Sequence, residues 1–399
     1  MAGAAVGVSH LVQSTRAGAG FGWGLLIFIL MANIFKYPFF EYGHRFAAST
    51  GKSFLEGYKS LGNIYLVTFL IANIFTAIIS IAAVVFVTSA LLANLIPSSL
   101  GISSWSIVLV ITCFLLIAIG KYKILDLFMK IMMSVLVVCT GLSFVLAAIK
   151  APSLKLESFF SFGDFNMTHF PFLIALMGWM PAPVEISVWQ SLWIVERNEC
   201  SKNPLSMVEA KIDFNVGYLL TIFLAVLFCG MGALTMYQTN NTFSDSPADF
   251  ASQVINLYTA HIGEWAKPVI ALTAFTTMFS TTLTLIDAYP RSISEGLLLF
   301  KPKLKEKHRL FHKISIVLCC LLSLLVISQF LSGLKALVDT VTIIAFLAAP
   351  FFAFLNFKLI RSALVREADR PGTLMNLWSW AGLIFLLGFG LFFLAKTYF

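Results

Sequence analysis

The sequence predicts an all-α integral membrane protein built from two inverted repeats of five helices and one further helix. Of its 399 residues, 59% are hydrophobic and only 12% are charged, whereas soluble domains are about a quarter charged. Stretches of roughly 20 residues with few charges, long enough to span a bilayer, recur along the whole chain. Two of these stretches are interrupted, which indicates a binding site at the depth of the interruption.

Eleven membrane spans are predicted. Their ranges are 1–20, 22–44, 62–96, 104–120, 125–149, 170–195, 214–236, 264–290, 311–331, 335–358 and 375–397. Residues 1–149 and 170–358 form two sets of five spans, and 375–397 is an eleventh span within a single transmembrane transporter domain over 1–397. Because five is an odd number, the two sets insert with opposite orientations, as in the inverted repeats of secondary transporters. The long connection 237–263 is expected to be solvated.

The basic residues predict the orientation. With a cytoplasmic N-terminus, twenty of the 27 Lys and Arg residues lie in cytoplasmic connections and five on the opposite side. Arg16 and Lys36 lie inside spans. The asymmetry follows the positive-inside rule, so the net charge of +8 indicates topology and not nucleic-acid binding. We expect a multi-pass protein of the cell membrane, plasma or inner, that contacts lipid and functions as a monomer.

The first and sixth spans are the interrupted ones. Gly7-Val8-Ser9-His10 breaks the first, and Gly178-Trp179-Met180-Pro181-Ala182-Pro183 breaks the sixth. Two closely spaced prolines remove backbone donors and end a continuous helix. A break at bilayer depth is tolerated where the freed carbonyls and amides line a cavity or meet a ligand. Paired breaks in two halves of a chain indicate the binding site of a secondary transporter.

The first span is short before its break. Six residues precede Gly7, about 9 Å of helix, whereas half a span needs roughly 15 Å. We therefore expect that a further N-terminal piece precedes Met1.

Four segments carry motifs of a known family: 14–23, 25–51, Met180-Pro181 and 284–296. They resemble parts of the natural resistance-associated macrophage protein (NRAMP) family of divalent-metal transporters. Residues 14–23 resemble the end of its helix 1, and 25–51 resemble its helix 2. Met180-Pro181 resembles the start of the Met-Pro-His signature of its helix 6, and 284–296 resemble the end of its helix 8. The resemblance extends over nearly the whole chain. It implies a LeuT-type fold, a divalent metal ion as substrate with no cofactor, and a metal ligand at Met180.

The chain departs from this family at three places. The family's Asp-Pro-Gly-Asn of helix 1 falls on Gly7-Val8-Ser9-His10, so Gly7 stands at the carboxylate position and His10 at the amide position. The signature histidine of helix 6 falls on Ala182. The third predicted span, 62–96, contains no carboxylate for proton passage. The sequence therefore resembles a divergent branch, in which the ion and its coupling to protons stay open.

Four residues at the breaks are candidate metal ligands: His10, Met180, Gly7 and Met177. A thioether is a soft ligand for late transition metals, although methionine also fills gaps in apolar cores. A neutral imidazole binds Zn, Cu, Fe or Ni, and a histidine inside a membrane is functional by default; its structural alternative is a hydrogen bond to a freed carbonyl. Gly7 and Met177 offer backbone carbonyls. The candidate substrates are Mn, Fe and Zn ions.

Seven further residues are candidates for the transport pathway. They are Gln13, Ser14, Glu185, Thr284, Asp287, Asp339 and Thr342. A carboxylate as deep as that of Glu185 is costly unless it is paired, hydrated or protonated, so it either replaces the lost helix-1 carboxylate, accepts protons, or forms a structural pair. Asp287 ends a polar face of the eighth span but can equally pair with Arg291. Asp339 can pair with Lys335 in the same way.

Three functions fit this pattern. The first is a secondary transporter of a divalent transition-metal cation that works by alternating access. The second keeps the fold but carries a small organic or anionic solute at half-helix N-termini, which the lost carboxylate and Arg16 favour. The third is a membrane sensor that binds without transporting. An enzyme is not expected, because the sequence has no nucleophile–base set and no His-Glu-x-x-His spacing.

Overall fold

The computed structural model describes residues 6–96, 98–120, 123–150, 165–200, 205–237, 243–331 and 333–398. Fourteen α-helices are found in these ranges. They are α1 (Thr15–Phe21), α2 (Leu26–Thr50), α3 (Phe54–Leu61), α4 (Asn63–Leu95), α5 (Ile102–Ile119), α6 (Lys123–Lys150), α7 (Phe170–Gly178), α8 (Ile186–Cys200), α9 (Met207–Thr235), α10 (Pro247–Ile262), α11 (Lys267–Leu298), α12 (His308–Gln329), α13 (Leu334–Ile360) and α14 (Thr373–Tyr398). A π-helical segment, Ser9–Ser14, leads directly into α1.

The predicted all-α membrane architecture is confirmed. Within the ranges given above, eight helices are long and apolar enough to cross a membrane. Helix α2 adds a span by its length, since its 25 residues extend about 37 Å. The segment Ser9–Ser14 with α1, and the pair α7 and α8, account for the two interrupted spans.

The sixth span is broken where its prolines predict. Helix α7 ends at Gly178, α8 begins at Ile186, and residues 179–185 between them are not helical. Pro181 and Pro183 lack the backbone N–H groups that would continue α7, and each also disfavours helical geometry in the residue before it. In the first span, Val6 and Gly7 form a bend, and the chain is helical from Val8 onward. The predicted break at Gly7-Val8-Ser9-His10 is therefore wrong for Ser9 and His10, which belong to the π-helical segment. The expected helix ahead of Gly7 falls outside the described residues.

Connection 237–263 contains a helix that the sequence analysis did not predict. Helix α10 (Pro247–Ile262) packs against α4 and α6. It buries Phe250, Val254 and Tyr258, which lie four residues apart and therefore on one face. The expectation of a solvated connection is wrong for α10, because these apolar side chains cover the ends of the neighbouring spans.

Small residues bring the spans around the breaks into close contact. A Cβ atom added at Gly18 of α1 would lie 1.8 Å from Cys229 O of α9, and one added at Gly232 of α9 would lie 2.1 Å from Thr15 O. Close backbone approach at glycine is typical of helix pairs in membranes, where dispersion contacts replace the hydrophobic effect. The first span is therefore fixed against α9 just beyond its π-helical segment.

Gly18→Ala is expected to destabilise the protein by about 1–3 kcal/mol, because the added methyl group forces α1 and α9 apart. Thermal unfolding of the purified protein in detergent measures the effect. The matched control is Gly20→Ala in the same helix, where an added Cβ meets nothing within 4 Å. Equal melting temperatures for Gly18→Ala and the unmodified protein would contradict the close approach.

Candidate functional site

The two interrupted spans meet at a small cavity. Ser9 Oγ lies 3.3 Å from Pro181 O, and residues from both breaks line one cavity of about 30 Å³. The polar and aromatic side chains in its lining are Ser9, Ser80, Trp179, Trp189, Thr281 and Tyr289. They come from the first, third, sixth and eighth spans. A volume of this size accommodates one water molecule or one ion.

His10 is bonded toward α9. Its Nε2 lies 3.0 Å from Thr221 O and its Nδ1 lies 2.8 Å from Ser9 Oγ. A ring nitrogen must carry a proton to donate to a carbonyl, so the neutral ring is protonated at Nε2 and accepts at Nδ1. The one hydroxyl proton of Ser9 faces two acceptors, His10 Nδ1 at 2.8 Å and Pro181 O at 3.3 Å. Both ring nitrogens of His10 are therefore engaged. A metal ion would have to replace one of these two hydrogen bonds.

The other three candidate ligands lie at the breaks themselves. Met180 is fully buried and, like His10 and Met177, lies close in the chain to residues that line the cavity without lining it itself. Gly7 lines the cavity, and its carbonyl accepts from the backbone amides of His10 and Leu11 at 3.1 and 2.9 Å. Met177 O accepts from a lysine ammonium at 2.6 Å. In the part of the chain that the structure describes, no group of three or more His, Cys, Asp or Glu side chains could hold a metal ion.

That lysine, Lys36 of α2, is a site residue to which the sequence analysis gave no role. Its side chain is fully buried, and Nζ donates to Met177 O at 2.6 Å and to Gly178 O at 2.7 Å. The signal was present in the sequence, because a lysine inside a predicted span is functional by default. Its partners were hidden, because they are backbone atoms 141 and 142 residues away.

Glu185 lies immediately before α8 and is fully buried. Its Oε1 accepts from Tyr289 Oη at 3.0 Å, and its Oε2 has no hydrogen-bond partner among the described residues. The partial positive charge at a helix N-terminus favours a carboxylate in this position. Because Tyr289 also lines the cavity, Glu185 is connected to the cavity through one hydroxyl group.

Two tryptophans in the cavity wall have unused donors. Trp179 and Trp189 both line the cavity. The Nε1 atoms of both are buried and have no hydrogen-bond partner in the described ranges. A buried donor without a partner is costly and indicates a place for water or another acceptor.

The cavity uses a different face of α11 from the predicted one. Thr281, Leu285 and Tyr289 line it, and they are four residues apart. Thr284 lies beside this row, where its hydroxyl donates to Ser280 O at 2.9 Å. The polar face that the sequence predicts to end near Asp287 follows mixed steps of three and four, through Thr273, Thr277, Ser280, Thr284, Asp287 and Arg291. The lining residues instead follow repeated steps of four.

A first polar cluster joins Ser9–Ser14 and α1 to α13. Arg16 donates to both carboxylate oxygens of Asp339 at 2.6 and 2.9 Å. Gln13 donates to Asp339 Oδ1 at 3.0 Å and to Thr342 Oγ1 at 3.2 Å. These three candidate residues are thus brought together, whereas Ser14 donates to Ser9 O within its own segment.

The partner that the sequence analysis considered for Asp339 was the wrong one. Lys335 instead donates to Phe243 O at 2.8 Å and pairs with Asp245 at 3.3 Å. The bidentate geometry that Arg16 presents to a carboxylate is the stronger interaction.

A second polar cluster joins α8, α11 and α12. Asp287 pairs with Arg291 at 3.0 Å, and Arg291 also pairs with Glu196 at 2.8 Å. His312 Nε2 lies 3.4 Å from Asp287 Oδ1. Asp287 is therefore in a network of charges and does not line the cavity wall.

Comparisons with known proteins cover almost the whole chain. The family model described as natural resistance-associated macrophage protein-like (Nramp) matches residues 1–396. An uncharacterized protein of Pasteurella multocida (strain Pm70) is 35% identical over 398 residues, which are 99% of this chain and 90% of that protein.

Solved structures show the same fold. A manganese transporter of Eremococcus coleocola, in complex with an aromatic bis-isothiourea substituted compound, is similar with a TM-score of 0.70 and 13% identity, covering 98% of this chain and 84% of that one. MhsT in complex with L-phenylalanine gives a TM-score of 0.65 at 12% identity, with 97% and 96% covered. Mhp1, a nucleobase-cation-symport-1 family transporter, gives 0.61 at 12% identity, with 99% and 91% covered. These similarities confirm the predicted LeuT-type fold.

The Arg16–Asp339 pair is expected to show a coupling energy of about 0.5–3 kcal/mol in a double-mutant cycle. Arg16→Gln, Asp339→Asn and the double variant would be compared by thermal unfolding. The side chains are 13% and 26% exposed, so breaking the pair leaves a partly buried charge without its partner.

The control cycle uses Arg366 and Asp369, where the arginine is 70% exposed. Its coupling is expected to stay below about 1 kcal/mol, as for surface ion pairs. Equal coupling in the two cycles would show that the Arg16–Asp339 pair has no special part in joining the two spans.

Proposed function

The chain belongs to the Nramp family of divalent metal cation transporters, and we propose that it moves such an ion by alternating access through the cavity between its broken helices. The observation that carries this proposal is the convergence of the bend and π-helical start of the first span with the unwound middle of the sixth span on one small cavity. In transporters with inverted repeats, rocking of one helix bundle against the other exposes such a site to each side in turn.

The proposed ligands are the Met180 thioether, the His10 imidazole and the carbonyls of Gly7 and Met177. The thioether and the imidazole suit Fe and Zn ions, and the carbonyls suit Mn, so Mn, Fe and Zn ions are the candidates. His10 and Met177 are both engaged in hydrogen bonds. Ion binding would therefore exchange these hydrogen bonds for metal coordination.

We propose that the two polar clusters are the closures of the pathway. With a cytoplasmic N-terminus, the cluster of Gln13, Asp339 and Thr342 closes the outer side, and the cluster around Asp287 closes the cytoplasmic side. Ser14 and Thr284 lie next to these clusters along the same path. This orientation rests on the asymmetric distribution of Lys and Arg residues.

We also propose that the protein resides in the plasma or inner membrane, with its N-terminus in the cytoplasm, and functions as a monomer. One domain over 1–397 consists of repeats at 1–149 and 170–358, followed by the extra helix of 375–397. The odd number of spans in each repeat gives the two halves opposite orientations.

A small organic or anionic solute is the second candidate substrate. It is favoured by the unused indole donors of Trp179 and Trp189 in the cavity wall and by the buried ammonium of Lys36 beside the break. An anion accepts hydrogen bonds from such donors, whereas a metal ion does not.

Met180→Ala and His10→Ala are each expected to lower the uptake of Mn²⁺ into proteoliposomes by roughly tenfold or more, since even outer-sphere partners of a metal contribute 10- to 100-fold to affinity. Fe²⁺ and Zn²⁺ would be tested alongside. The control is Met231→Ala, which removes a buried methionine of α9 that lies at neither break.

Two results would contradict these assignments. If neither substitution changes the uptake, Met180 and His10 are not metal ligands, although the transport function still stands. Uptake of none of the three metals by the unmodified protein, together with uptake of an organic or anionic solute, would favour the second candidate.

Glu185→Gln is expected to flatten the pH dependence of metal uptake, because the amide cannot take up the proton that we propose Glu185 accepts. The amide oxygen can still accept from Tyr289, so the local hydrogen bond is preserved. Uptake would be measured over a range of external pH, with Glu264→Gln in the connection before α11 as the control. The proton route through Glu185 is excluded if the profiles of Glu185→Gln and the unmodified protein coincide.

A further inference from the structure

The ammonium of Lys36 lies where an unwound helix presents its carbonyls. Nζ is 2.6 Å from Met177 O and 2.7 Å from Gly178 O, and these are the last two residues of α7. The last carbonyls of a helix lack regular helical partners, and the helix C-terminus as a whole carries about half a negative charge. Met177 O accepts one further hydrogen bond, from Met180 N at 3.3 Å. Carbonyls in such positions are those that discontinuous membrane helices use to coordinate cations.

The charge of Lys36 is balanced mainly by these carbonyls. Among the described residues, no carboxylate lies within 4 Å of it as an ion-pair partner; Glu185 interacts with it electrostatically at longer range. The ring of Phe346 lies 5.9 Å from Nζ, within the range of a weak cation–π contact. A lysine in the bilayer interior is costly, so two short hydrogen bonds to carbonyl oxygens are its principal compensation.

We propose that Lys36 is a tethered cation that occupies one coordination position of the substrate site and competes with the transported ion. This inference rests on the proposed function, because it concerns Met177 O, one of the proposed metal ligands. The lone pairs of Met177 O that face the Lys36 ammonium cannot also bind a metal ion. In addition, the positive charges of the ammonium and the metal ion repel each other. Lys36 therefore lowers the affinity for cations and determines which ions can displace it.

The test compares Mn²⁺ binding to purified Lys36→Met and unmodified protein in lipid nanodiscs by isothermal titration calorimetry. Methionine is similar in length to lysine but uncharged. The substitution therefore removes the ammonium that competes with the metal ion, and it leaves Met177 O and Gly178 O without that donor. The dissociation constant for Mn²⁺ is expected to fall by on the order of tenfold or more, as removal of a nearby like charge implies. If Lys36 had only a structural role, its replacement would lower the melting temperature without tightening the binding of Mn²⁺.

Two further variants keep the test decisive. Lys36→Gln has no charge but keeps an amide donor for one of the two carbonyls. It replaces Lys36→Met in the test if that variant does not fold. The same decrease in the dissociation constant for Mn²⁺ is expected. The matched control is Lys335→Met, which removes another ammonium that donates to a backbone carbonyl, Phe243 O at 2.8 Å. Its dissociation constant is expected to be unchanged.

The outcomes separate this inference from the proposed function. If the unmodified protein binds Mn²⁺ and the folded Lys36 variants bind it no more tightly, the competition is refuted while metal binding stands. If only the Lys36 variants bind Mn²⁺, the competition is supported, and the unmodified protein is not a carrier of this ion. If none of them binds Mn²⁺, the inference falls together with the assignment of this ion.

Discussion

The structure depends on one requirement of the bilayer, that every backbone carbonyl and amide has a partner. Breaking the sixth span removes the regular helical partners of the end of α7. Lys36 donates to its last two carbonyls, and Met177 O also accepts from Met180 N at 3.3 Å. At the other break, Gly7 O accepts backbone amides of the π-helical segment, and Ser9 lies against Pro181 O. The interrupted helices are therefore stable in lipid because side chains and backbone from neighbouring segments replace the missing helical bonds.

Polar side chains also join the spans that surround the cavity. Asn356 of α13 donates to Phe39 O of α2 at 3.0 Å and to Ser187 Oγ of α8 at 2.8 Å, and it accepts from Tyr58 of α3. At Gly178, α7 approaches α13 so closely that an added Cβ would lie 1.9 Å from Thr342 O. Helix α13 is thus a common support for both halves of the sixth span, and it positions them on either side of the break.

Local sequence patterns were sufficient to predict the membrane spans and the break in the sixth span, but not to predict which groups the site residues contact. Hydropathy, together with Pro181 and Pro183, defines where the sixth helix ends, because these effects act within a few residues. The sequence offered Lys335 of the same helix as a partner for Asp339, yet the partner in the structure, Arg16, is 323 residues away. His10 lies in the π-helical segment just after the bend at Gly7, and its hydrogen bond to Thr221 O depends on how α9 packs, which no short pattern encodes. Long-range packing likewise decides that Lys36 of α2 donates to the last carbonyls of α7.

The two charged clusters have a consequence for the membrane in which the protein resides. Arg16 and Asp339 are joined on one side of the cavity while Arg291 joins Asp287 and Glu196 on the other. With the two clusters as the proposed closures of the pathway, a continuous column of water across the bilayer requires both to separate at the same moment. The two free-energy costs of separation add, so such a state is far rarer than the opening of either side alone. On that proposal, ions do not leak through the protein while it transports its substrate.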